Sequence, residues 1–124
     1  MTDKTKNIIA WVLAGLVAFV FLGSASGKVS GNAEALKMAA TFGIDAKAYF
    51  NLGLIEIISV ILFLIPRTGM IGTLFLSAYM GGAIATHLEH AQPVLIPCVI
   101  LTFVLIVAAV RFPEMKKRLL NQSN

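Results

Sequence analysis

Apolar residues fall into four long runs separated by short polar links, and this pattern predicts an all-α protein. The first run, Ile8 to Leu22, follows Lys4 and Lys6 and continues into the small residues Gly23-Ser-Ala-Ser-Gly27. Together they reach about 19 residues, enough for a helix to cross a hydrocarbon slab about 30 Å thick. The predicted spans are residues 8–26, 48–65, 70–87 and 94–110, forming a transmembrane four-helix bundle in one domain, 1–124. The small-residue tail of the first run also resembles a signal-peptidase site, so a cleaved leader is the alternative there.

The links carry their own signals. Between the first two spans, Asn32 is placed to cap a helix over Ala33–Phe42 that Gly43 ends. That helix is too short and polar to cross, and Leu36, Met38, Ala39, Phe42 and Ile44 suit it to the membrane interface. Asp45 then caps the second span, which stops at Pro66. In the third span Gly69, Thr73, Ser77, Gly81 and Ala85 recur every fourth residue, a small-residue ridge that predicts close helix packing within the chain or between two copies. This ridge points to a bundle-core helix, whereas the branched aliphatics of the fourth span suit lipid. Pro93 fits that span's first turn, Pro97 predicts a mild distortion one turn later, and Pro113 closes it.

Composition agrees with the pattern. The chain is 58% hydrophobic and 13% charged, against roughly a quarter charged in soluble domains. The formal charge of +4 does not indicate nucleic-acid binding, because the basic excess sits in the tails. Lys4, Lys6, Arg67, Arg111, Lys116, Lys117 and Arg118 lie on one side, against Lys28, Lys37 and Lys47 on the other. The positive-inside rule therefore predicts an inner-membrane protein with both termini cytoplasmic. A single cysteine, Cys98, excludes an intramolecular disulfide or a CxxC pair, and in an apolar helix it behaves as a small hydrophobe. Trp11, Tyr49 and Tyr79 read as ordinary membrane residues. No P-loop, dinucleotide fingerprint or nucleophile elbow is present.

One residue breaks the pattern. Glu56 lies roughly 13 Å along the second span at about 1.5 Å per residue, near mid-membrane. An acidic side chain there costs about 2.5–3.5 kcal/mol on insertion scales. Lys28, Ser59, Asn51 and His87 are the candidates to compensate it, and all but Ser59 lie toward the outer half. They predict a polar pocket opening outward, serving either a ligand or proton relay, or only helix registry. His87, Glu89 and His90 form a weak metal candidate that lacks a clear third and fourth ligand from elsewhere; no metal and no resident cofactor is expected.

Taken in order, Phe21-Leu-Gly-Ser-Ala-Ser-Gly-Lys28, Phe42-Gly-Ile-Asp45, Gly53-Leu-Ile-Glu56, Leu64-Ile-Pro-Arg67 and Ala83-Ile-Ala-Thr-His-Leu88 resemble the DoxX-like family of small four-helix membrane proteins. Lys28, Gly53, Glu56 and His87 match the family's pattern, which the resemblance covers over nearly the whole chain. The resemblance implies an accessory or non-catalytic subunit associated with a membrane redox complex, since the family takes its name from a subunit of a thiosulfate:quinone oxidoreductase. Quinone would then enter through a partner complex, and the expected partners are the bilayer, a redox-complex subunit or a second copy. Two other readings stand beside it: a proton-coupled carrier using Glu56, Lys28 and His87, and sulfur oxidation with quinone reduction by this chain alone. The absence of paired cysteines and of a cofactor cradle weighs against the last.

Overall fold

The structure, a computed structural model, describes residues 2–121 and contains helices and no strand among them. The helices are α1 (Asp3–Ser30), α2 (Ala33–Thr41), α3 (Ala46–Leu64), α4 (Gly69–Glu89), α5 (Leu95–Arg111) and α6 (Pro113–Leu119), with a single 3-10 turn at Pro66–Thr68.

Their ends follow from local chemistry. The Thr2 hydroxyl accepts from the Thr5 amide at 3.1 Å and starts α1, and Gly31, at φ +64°, ends it. The helix is therefore longer at both ends than the expected 8–26. Its last turn stays helical because Lys28 and Val29 rest on Gly53 of α3, where an added Cβ would lie 2.9 Å from each. Asn32 caps α2 through the Ala35 amide and Asp45 caps α3 through the Ala48 amide, both at 2.8 Å. Pro97 is the third residue of α5, where an amide has no intrahelical acceptor to lose, so it requires no distortion. Pro93 lies before that helix altogether.

After Arg111 the chain bends by 113° into α6, a helix that the four-span hydropathy pattern does not predict. Its signals are plain in retrospect: Pro113 at the first position, Glu114 in the first turn, and Lys116, Lys117 and Arg118 in the last. The Arg111 guanidinium secures the bend. It donates to the Phe63 and Leu64 carbonyls at 2.6 and 3.1 Å, satisfying orphan acceptors at the end of α3. It also lies 4.9 Å from the ring centroids of Trp11, Phe63 and Phe112.

α1 packs on α3, α3 on α4, α4 on α5, and α5 back on α1, while α2 rests on α3 and α1. The shared apolar core occupies the end of the molecule that carries the Pro66–Thr68 turn. There Val17, Phe63, Leu76, Val104 and Val107 are fully buried. Close approach of α3 and α4 centres on Gly72, whose added Cβ would fall on the Phe63 backbone. The small-residue ridge thus packs only in part. Gly69 and Thr73 are buried and Ser77 is half-buried, but Gly81 and Ala85 are exposed. The outward face of α4 carries Leu74 and Phe75, so this helix has an exposed apolar side as well as a core side.

Large apolar side chains cover the exterior, among them Phe19 (78% exposed), Leu74 (66%) and Ile96 (69%). In water such a surface would be an aggregation hazard. Residues Asp3–Ser30, Ala46–Leu64 and Pro66–Glu89 each make a helix long and apolar enough to cross a bilayer, and α5 with α6 forms a further, bent candidate. Helices are also the open-ended elements that satisfy their own backbone in lipid.

Candidate functional site

Glu56 is brought to the middle of the helix assembly by α3 and is 1% exposed. Gly53, one turn earlier, lets α1 approach closely enough for two of its residues to reach the carboxylate. Lys28 Nζ lies 2.7 Å from Glu56 Oε1. Lys28 also donates to Ser24 Oγ at 2.5 Å, and Ser24 donates to Glu56 Oε1 at 3.3 Å. From the other side, the Tyr79 hydroxyl of α4 donates to Oε1 at 2.9 Å. The ammonium group of Lys28 lies 5.3 Å from the Tyr49 ring centroid, a cation–π contact. Three helices therefore converge on one carboxylate oxygen. A buried charge with an opposite charge and further hydrogen bonds is tolerable where an isolated one is not.

This cluster lines a cavity of about 1050 Å³ at the end of the molecule opposite the packed core. Its walls are chiefly apolar, with Val20, Phe21, Leu52, Met80, Ile96 and Ile100 among them. α2 contributes Glu34, Lys37, Met38, Thr41 and Phe42, so the short helix forms part of the wall rather than a detached surface element. The size and the mixture of apolar walls with a few convergent polar groups are those of a small-molecule site. Below the cavity the fully buried residues of the core close the assembly.

The other sequence candidates lie in different places. His87 lines the cavity but bonds to the Ala83 carbonyl through Nδ1 at 2.6 Å, and its ring lies 4.6 Å from that of Phe42. His90 Nδ1 makes the equivalent bond to the Thr86 carbonyl at 3.0 Å. Because a carbonyl only accepts, Nδ1 carries the proton in both rings. Ser59 is buried, and its hydroxyl donates to the Ile55 carbonyl at 2.7 Å, a backbone bond within its own helix. Asn51 is exposed and is not among the cavity residues. Glu89 is exposed on the last turn of α4, and no group of three His, Cys, Asp or Glu side chains able to hold a metal occurs among the described residues.

Ser24 and Tyr79 are the members that sequence reasoning missed. Ser24 sits one helical turn before Lys28, on the same face. Tyr79 was legible from topology, because Glu56 lies eleven residues before Arg67 and Tyr79 twelve after it. A tight turn at Arg67 puts both at the same depth.

The fold and the site together define a helical transmembrane protein with a charge-paired cavity inside its helices. The chain belongs to the DoxX-like family, whose sequence model matches residues 12–110. No curated protein and no solved structure matches it.

Proposed function

We propose that this chain is an accessory, non-catalytic subunit of the inner membrane, associated with a redox complex, whose cavity receives an apolar molecule such as a quinone or a lipid beside Glu56. The cavity itself carries the proposal: about 1050 Å³ of mostly apolar space ending in a Lys28–Glu56–Tyr79 cluster. In this reading the chain crosses the bilayer four times with both termini cytoplasmic, α2 lies at the outer interface, and the cavity faces outward. Assignment to a redox complex rests on family membership and on the lack of a catalytic motif in the sequence. Gentle purification with native lipids, followed by mass spectrometry of the intact assembly, tests it. A bound lipid or quinone, or a stoichiometric partner, is the expected outcome; a bare monomer counts decisively against it.

A proton-coupled carrier is the second reading, favoured by the placement of Lys28, Glu56 and His87 around one cavity. The packed layer beneath the cavity makes it the weaker of the two, since a carrier must also open to the opposite side. It predicts pH-dependent flux in liposomes that is lost in Glu56→Gln. Flux of the same size in that variant removes the relay.

A further inference from the structure

The walls of the cavity and its polar end restrict what it can hold and how that molecule arrives. On α1, Val20 and Ser24 both line it and are both exposed. On α5, Ile96 lines it and is 69% exposed. Most core residues of these two helices, Ala14, Val17 and Ala18 on one and Val104, Val107 and Ala108 on the other, lie nearer the packed end, while Phe21 and Ile100 join that core to the cavity wall. Above that layer both helices expose cavity-lining side chains, so the seam between α1 and α5 borders the apolar exterior on one side and the cavity of the Glu56 cluster on the other. An opening edged by apolar side chains at membrane depth admits molecules dissolved in the bilayer rather than solutes from water.

Charge and donor count at the inner end select among such molecules. A carboxylate has about four acceptor sites on its two oxygens. Lys28, Tyr79 and Ser24 all direct their donors at Oε1, so the acceptor sites of Oε2 are left for a ligand. An anionic headgroup at this point would face the carboxylate with Lys28 already paired to it; the lining's other lysine, Lys37, belongs to α2, beside Glu34 in the wall, and not to the Glu56 cluster. An ammonium headgroup would add a second buried positive charge in competition with Lys28 for the same oxygens. A neutral hydroxyl meets neither cost and donates to the remaining acceptor position.

We infer that the cavity receives a neutral, membrane-dissolved lipid alcohol that enters sideways between α1 and α5 and presents its hydroxyl to Glu56. This rests on the ligand-binding reading above and adds to it a headgroup and an entry route. Tyr79 and Lys28 act here as positioning residues, fixing the carboxylate so that its free acceptor site faces the incoming hydroxyl.

The test uses the full chain in phosphatidylcholine nanodiscs containing hexadecanol, hexadecanoic acid or hexadecylamine at equal mole fraction, with bound probe counted by native mass spectrometry. Hexadecanol is expected to be retained roughly tenfold better than the acid or the amine, as befits one hydrogen bond to a charged group without a like-charge penalty. Glu56→Leu should lower that retention by a similar factor. Val20→Trp and Ile96→Trp leave the polar cluster intact, and they should slow hexadecanol loading several-fold while leaving the final occupancy measurable. These two variants keep the test informative if Glu56→Leu fails to fold. Equal or better retention of acid or amine overturns the headgroup assignment, and unchanged loading in both tryptophan variants overturns the route. If hexadecanol is not retained but native extracts yield another bound molecule, this inference falls and the binding reading stands. If neither yields one, the cavity-ligand reading falls with it.

Discussion

At the scale of single residues, the chemistry of this protein concentrates on one oxygen atom. Glu56 Oε1 receives a lysine, a tyrosine and a serine from two other helices, and removing any one of them should have a distinct effect. Lys28→Met leaves a buried carboxylate without its countercharge and should destabilise the protein by about 3–5 kcal/mol. The double variant Lys28→Met with Glu56→Leu should recover much of that loss, because both charges then leave together. Thermal unfolding in detergent measures both, and a double variant no better than Lys28→Met would show that the ion pair is not what costs. Tyr79→Phe removes one hydrogen bond to a charged acceptor and should cost about 1.5–3 kcal/mol by the same assay. Glu56 and Lys28 stand out in the sequence because a charge within or beside an apolar run needs a partner. Ser24 and Tyr79 do not stand out by residue type, since serine and tyrosine are common in membrane helices; the spacing about Arg67 gives the depth of Tyr79, and only the register of α1 on α3 gives Ser24 its place.

Between residue and molecule, helix contacts are decided by rotation as much as by composition. Five small residues spaced four apart on α4 suggest one continuous packing stripe, yet the helix turns only part of it inward. Gly72, off that stripe, makes the tightest approach to α3, and Gly81, on it, has nothing within 4 Å of an added Cβ. Gly72→Ala should therefore destabilise by about 1–3 kcal/mol through overpacking against backbone that cannot yield. Gly81→Ala should be neutral or stabilising by up to about 1 kcal/mol from helix propensity. Equal effects of the two substitutions would show that the stripe, not the Gly72 contact, controls packing. Period and residue size were readable in the sequence here, but the angular position of the helix was not, because it depends on the combined shapes of Phe63, Leu76 and Phe112. Arg111 shows the same limit: a basic residue at a span end reads as a topology signal, whereas its guanidinium closes α3 from 48 residues away in sequence.

For the whole molecule, the helical class, the membrane setting and the caps at Asn32 and Asp45 were legible, since hydropathy and capping are local. The cavity was not legible, beyond the expectation of a polar pocket near Glu56. It is walled by side chains from five helices, α1 to α5, so it depends on register and side-chain volumes summed over all of them. The charge distribution predicts that both ends of the chain face the cytoplasm. A cysteine introduced at Lys37 should then react with an impermeant maleimide from outside cells, and one at Lys116 only after the membrane is opened. The reverse pattern would invert the orientation, and the cavity would open to the cytoplasm.

The packed layer of Val17, Phe63, Leu76, Val104 and Val107 makes the interior a cup rather than a tube. The two charges at its inner end, Lys28 and Glu56, lie 2.7 Å apart and cancel, and Glu34 and Lys37 of α2 add one charge of each sign to the wall. A neutral guest entering or leaving such a cup moves no net charge through the membrane field, where one elementary charge would be worth about 2.3 kcal/mol per 100 mV. Filling and emptying by the neutral alcohol proposed above would therefore be electrically silent, and a cell that de-energises its membrane would not by that alone load or discharge the cavity.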